Sequence, residues 1–140
     1  MLKRLATHPR LKGFWLLSRF GLAGLVNTAI GLSAIAALDL GLNVDPHIAN
    51  AVGFLGGIAS GYALNREFVF QSRDAHTAVG WRYVATVALG FAANQIVLTL
   101  AGGVLGEGDL AHLAAQGSGM ATYTSLTFLL YRFWVFNGET

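Results

Sequence analysis

The sequence predicts an all-α integral membrane protein: four transmembrane helices forming two tandem parallel helical-hairpin repeats, with N- and C-termini cytoplasmic. Three observations predict it. The chain has 140 residues, 54% hydrophobic and only 11% charged, with mean hydropathy +0.55, whereas a soluble domain carries about 25% charged residues to cover its wetted surface. Four stretches, 20–38, 48–64, 83–106 and 113–131, contain no Lys, Arg, Asp or Glu. Lastly, Arg66 is followed by Phe68-Val69-Phe70 as Arg132, 66 residues on, is followed by Trp134-Val135-Phe136. At the same offset Gly24 aligns with Gly90, Ile30 with Ile96, Leu32 with Leu98, Ala49 with Ala115 and Gly53 with Gly119. Internal repetition of this kind decides architecture.

The elements follow in chain order. Residues 1–18 mix Leu2, Leu5, Leu11, Phe14, Trp15 and Leu16 with Lys3, Arg4, Arg10 and Lys12, and read as a basic interfacial segment broken at Pro9. A single transmembrane domain, 19–137, comes next, with repeat one at about 19–70 and repeat two at about 82–136. A helix needs roughly 20 apolar residues to cross about 30 Å of hydrocarbon. The stretch 48–64 is at the short end, but Asn65 and Arg66 can snorkel outward. Within lipid each backbone amide must be satisfied inside its own segment, so the four stretches are helices. Ala34-Ile35-Ala36 resembles a signal-peptidase site. The long charged leader and the duplicate of this span at the third position argue for retention.

Charge sets the orientation. The linkers 39–47 and 107–112 hold Asp39, Asp45, Glu107 and Asp109 and no Lys or Arg. All nine basic residues, Lys3, Arg4, Arg10, Lys12, Arg19, Arg66, Arg73, Arg82 and Arg132, fall on the opposite side of the four spans. The positive-inside rule makes that side cytoplasmic. Trp15, Trp81 and Trp134 stand at the same ends, as an aromatic belt requires. The pI near 9.3 therefore reports membrane topology, and nucleic acid is not expected as a partner. Each repeat has an even number of helices, so the copies insert the same way round, related by an axis along the membrane normal.

Gly53, Gly57 and Gly61 recur every fourth residue on the second helix and form a stripe for close helix packing. Ala115/Gly119 and Gly117/Ala121 make a looser version on the fourth, and Gly90 precedes Asn94 by one turn on the third. The stripe serves contacts within the chain or between protomers; four helices are thin for enclosing a large substrate, so a homo-oligomer is expected. Asn27, Asn50, Asn65, Asn94 and Gln116, with the Ser/Thr-rich fourth helix, put polar groups inside the membrane. They serve as interhelical glue or, taken together, as a polar translocation path.

Arg19, Arg66, Arg82 and Arg132 stand one per helix at one cytoplasmic depth. Guanidinium groups bind phosphate bidentately, so these four are candidate lipid-phosphate ligands; the alternative is that they enforce topology and bind bulk anionic lipid. No carboxylate lies inside a span, which argues against a proton-coupled antiporter. No Gly-rich nucleotide loop is present, the chain has no cysteine, and His8, His47, His76 and His112 are scattered over the linkers. Neither an enzyme, nor a metal, nor a cofactor is expected.

Several pieces resemble the GtrA-like family of small four-helix bacterial membrane proteins. These are Arg19-Phe20 with Gly24 and Thr28; Asn50 and Gly53; the run Ser60-Gly61-Tyr62-Ala63-Leu64-Asn65-Arg66-Glu67-Phe68-Val69-Phe70; Arg82-Tyr83, Gly90 and Asn94; and Phe128-Leu129-Leu130-Tyr131-Arg132-Phe133-Trp134-Val135-Phe136. The resemblance implies translocation of a polyprenyl-phosphate-linked sugar across the bacterial cytoplasmic membrane for cell-surface polysaccharide synthesis. Membrane lipids would be its surroundings and a glycosyltransferase a possible partner. A second reading is a non-transporting partner that anchors or assembles that glycosyltransferase through the glycine stripe. The chain departs from the family pattern at Tyr131, where Asn is usual, and Glu67 stands beside Arg66 to neutralise part of its charge, so the resemblance places a phosphate role more firmly on Arg132.

Overall fold

The computed structural model describes residues 9–137, and every element in it is helical. The order is α1 (Pro9–Ala36), a π-helical segment π1 (Ala37–Gly41), α2 (Pro46–Ala63), π2 (Leu64–Val69), α3 (His76–Leu105), α4 (Asp109–Leu130) and π3 (Tyr131–Val135). The chain divides into two compact units, Met1–Ser72 and Arg73–Thr140. Each is a helical hairpin: α1 against α2, and α3 against α4.

Local chemistry accounts for the hairpin turns. Pro46 occupies the first turn of α2, where its missing N–H costs nothing, and the Asp45 carboxylate caps the helix by accepting from His47 N (2.9 Å) and Ile48 N (3.4 Å). The second turn is tighter. Gly106 (φ 77°) and Gly108 (φ 123°) supply the left-handed backbone that reverses the chain between α3 and α4.

The helices are longer than the uncharged stretches suggested. The apolar helical runs Lys12–Gly41 and His76–Leu105 are each 30 residues, with mean hydropathy 1.7 and 1.8. By length and composition these two can cross a membrane; at 1.5 Å per residue each spans about 45 Å, more than the hydrocarbon core. Arg19 and Arg82 therefore lie inside α1 and α3 and do not open them. Likewise Arg66 and Arg132 lie within π2 and π3, beyond the ends expected from the sequence. Arginine is a good helix former, and a helix has no reason to stop where lipid gives way to headgroups. The expected break at Pro9 is the start of α1, which continues unbroken through 10–18; residues 1–8 of the expected interfacial segment lie outside the described residues.

The hairpins close on small residues. A Cβ placed at Gly53 would meet the Ile35 side chain and, at 3.1 Å, the Gly31 carbonyl, so α1 and α2 touch backbone to backbone there. Gly90 faces Thr127 and Tyr123, and Gly119 faces Asn94. Gly57 has open space around it, and Gly117 and Ala121 are exposed, so only part of each small-residue stripe is used inside its hairpin. On the second helix of the first unit Ala49, Gly53, Gly61, Asn65 and Val69 are buried. In the second unit Ala115, Gly119, Thr127, Tyr131 and Val135, each 66 positions on, are buried too. Most large apolar side chains are instead exposed, among them Leu25, Phe54, Leu100 and Met120, as expected where lipid is the solvent.

Candidate functional site

The end of each hairpin opposite its turn is built in the same way. A regular helix switches to π-helical hydrogen bonding for its last turn, and the chain leaves it through Phe70 N–H to Asn65 O and Phe136 N–H to Tyr131 O, both 2.9 Å. Such turns widen the helix by one residue and are frequent at functional sites. Arg66 and Arg132 each lie within one of these turns. The sequence held no signal for them beyond the repeated Arg-x-aromatic-Val-Phe itself.

In the first unit Arg19 lies with its guanidinium carbon 4.9 Å from the Phe68 ring centroid, so the cation on α1 rests against the aromatic face of π2. Arg66 is buried, 8% exposed, and its Nη1 donates to Glu67 Oε1 at 2.7 Å. The neutralisation expected from Glu67 is thus present as an ion pair. Asn65 is buried beside it: its amide Nδ2 donates to Gly61 O at 2.8 Å, a carbonyl that also accepts from Leu64 N–H, while its Oδ1 is buried without a partner among the described residues.

In the second unit Arg82 Nη1 donates to Trp134 O at 3.3 Å, tying α3 to π3. Its guanidinium carbon is 5.7 Å from the Trp81 ring, and Trp81 meets Trp134 edge to face, centroids 5.4 Å apart and planes at 85°. Behind them Tyr83 stacks on Tyr131 at 5.2 Å, with Phe136 against both. Arg132 is exposed, over the ring of its neighbour Phe133 at 5.2 Å. The structure therefore brings Arg19 to the segment holding Arg66, and Arg82 to the segment holding Arg132, each pair within its own unit. The aromatic cluster around Arg82 was missed as a unit. Tyr83, Tyr131 and Phe136 were visible only as motif residues, and the tryptophans only as belt residues.

The candidate path residues are dispersed. Asn27 accepts from Ser60 Oγ at 2.5 Å across α1 and α2, which is the glue reading. Asn94 packs on Gly119, while Asn50 and Gln116 are exposed. The hydroxyls of Ser118, Thr122 and Thr127 donate to Ala114 O, Ser118 O and Tyr123 O, four residues back on their own helix. Much of α4's polarity is satisfied within the helix and tolerates lipid.

A family model described as GtrA/DPMS, transmembrane domain, matches residues 19–136 of the chain. The matched range opens at Arg19 and closes on Phe136, so it takes in all four candidate arginines and both π-helical ends. No curated protein and no solved structure matches the chain significantly.

Proposed function

The chain belongs to the GtrA/DPMS transmembrane-domain family, and from that premise we propose that it moves a polyprenyl-phosphate-linked sugar across the bacterial cytoplasmic membrane for cell-surface polysaccharide synthesis or modification. The observation that carries this reading is the arginine-bearing π-helical end of each hairpin. A lipid phosphate lying at headgroup depth would be met there by guanidinium groups, which bind it bidentately, while its polyprenyl tail stays in lipid. The shared burial pattern at 66-residue spacing supports a duplicated hairpin. In this reading all four helices span the membrane, both termini and the central linker are cytoplasmic, and the two acidic turns face outward. The protein acts as a carrier and not an enzyme. Synthesis of the lipid-linked sugar on one face and its consumption on the other drive net flow.

The second reading, a non-transporting partner of a glycosyltransferase, has less to draw on. Of the stripe it would use, Gly53 is in contact inside the first hairpin and Gly61 is buried, leaving Gly57 open for a protomer or partner. Reconstituted vesicles separate the two. Purified protein alone should carry a short-chain polyprenyl-phosphate hexose between leaflets, and replacing Arg132 by Ala should slow it more than replacing it by Lys. Absence of any transport by the purified chain refutes the carrier; equal rates for Arg132, Lys and Ala refute a phosphate role for this arginine.

A further inference from the structure

We propose that the headgroup is bound at Arg82, Trp81 and Trp134 in the second unit, with Arg82 holding the phosphate and the exposed Trp81 indole taking the sugar ring. This rests on the carrier reading above and names where its substrate docks.

Two observations together distinguish Arg82 among the four arginines: it has no carboxylate partner, and its Nε is buried without an acceptor, among the described residues. Arg66 has a carboxylate at 2.7 Å. Arg132 is exposed, and Arg19, also half-buried and without an ion pair among the described residues, rests on Phe68 and has no buried N–H left without an acceptor. Arg82 is half-buried and makes no ion pair among the described residues. Among the described residues its one hydrogen bond is a long one, 3.3 Å to a carbonyl, and its buried Nε has no acceptor. A guanidinium has five N–H donors. Removing it partly from water without a counter-ion is costly, and the cost is recovered when an anion supplies charge-assisted bonds.

The neighbours indicate what the anion carries. A tryptophan that merely marks membrane depth needs no partner. Trp81 and Trp134 come from two different helices, are locked edge to face, and are both tied to Arg82. Even so, Trp81 keeps 58% of its surface accessible. A pyranose has a face of C–H groups that lies flat on an indole while its hydroxyls point to water, and ring contacts of this kind are directional. A bare lipid phosphate would use Arg82 and ignore the indole; a sugar phosphate uses both.

The test is binding by the full chain in detergent, with Trp15→Phe so that emission reports only Trp81 and Trp134. The probes are a short-chain polyprenyl phosphate with and without a hexose. The hexose-bearing lipid should bind roughly 3- to 10-fold more tightly, the strength of an aromatic contact. Arg82→Ala should weaken both lipids by about 10- to 100-fold, as for loss of hydrogen bonds to a charged group; Arg82→Lys should fall between. Trp81→Ala should weaken the hexose-bearing lipid more than the bare phosphate and so abolish the preference, and Trp81→Phe should keep most of the preference. Circular dichroism checks folding, and the Lys and Phe variants decide if the alanines unfold. No preference in the parent protein, equal weakening of both lipids by Trp81→Ala, or unchanged binding by folded Arg82→Ala overturns the site. A vesicle assay separates the two proposals. The expected binding pattern without transport ends the carrier and leaves the site, whereas transport persisting in both alanine variants ends the site and leaves the carrier.

Discussion

Replacing Gly53 by Ala should loosen the first hairpin, whereas the same change one turn later, at Gly57, should not. A Cβ at position 53 would overlap Ile35 Cγ1, lie 2.9 Å from Ile35 Cδ1 and 3.1 Å from the Gly31 carbonyl oxygen. Isoleucine in a helix has essentially one χ1 well, so its side chain yields only by going off-rotamer, and the Gly31 contact yields only if the helices part by a few tenths of an ångström. Overpacking of this sort costs about 1–3 kcal/mol. Against it stands the gain from Gly to Ala in a helix, about 1 kcal/mol. At Gly57 nothing lies within 4 Å of the added methyl, so only the gain remains. The gain cancels between the two variants, and Gly53→Ala should be the less stable by about 1–3 kcal/mol. Equilibrium unfolding in mixed detergent–SDS micelles, followed by far-UV circular dichroism, measures the difference. Repeating the pair in an Ile35→Ala background should shrink it by more than half, since the contact that opposes the methyl has been removed. Equal stability of the two single variants, or a difference that Ile35→Ala leaves intact, would refute the backbone-to-backbone crossing at Gly53.

Other consequences follow from single contacts. Ser60→Ala removes the hydrogen bond to Asn27 that joins α1 to α2 and should cost about 0.6 kcal/mol in the same unfolding experiment; Thr28→Ala, whose hydroxyl bonds only Gly24 O on its own helix, should cost less. Glu67→Gln removes the ion pair between Arg66 and an exposed carboxylate and should cost about 0.2–1 kcal/mol in the same unfolding experiment; a loss of several kcal/mol would show that this carboxylate is worth far more to the fold than its exposure allows. The chain has no cysteine, so Asn43→Cys in the first hairpin turn and Gln71→Cys in the central linker report topology cleanly. A membrane-impermeant maleimide should label the first in intact cells and the second only after permeabilisation, and the reverse pattern would overturn the orientation.

Much of the fold was legible in the chain because lipid imposes a one-dimensional rule. A segment with no charge and enough length must become a helix, whatever it later touches. Hence each of the four uncharged stretches is helical, except at the last residue of the third, and family membership over 19–136 agrees with the resemblance read from the motifs. The boundaries were less legible because the rule concerns hydrocarbon and not hydrogen bonding, and Arg19, Arg66, Arg82 and Arg132 all lie inside continuing helices. The candidate site was legible as residue types only. That Arg66 would be held by Glu67 could be expected from adjacency; that Arg82 would be half-buried and bonded to the Trp134 carbonyl could not, because Trp134 is brought to it by the packing of π3 on α3.

By itself, then, the amino-acid order determined the helical class, the number of helices, the segregation of acid from base along the chain and the family. These depend on local composition, which folding cannot alter. Tertiary structure alone decided which glycines are contacts and which are open, which asparagine serves as glue, and which arginine has a buried N–H with no acceptor beside two packed tryptophans. Those properties depend on what a neighbouring helix presents within a few ångströms, and a π-helical turn that rotates one residue to a new face changes the answer without changing a letter of the sequence.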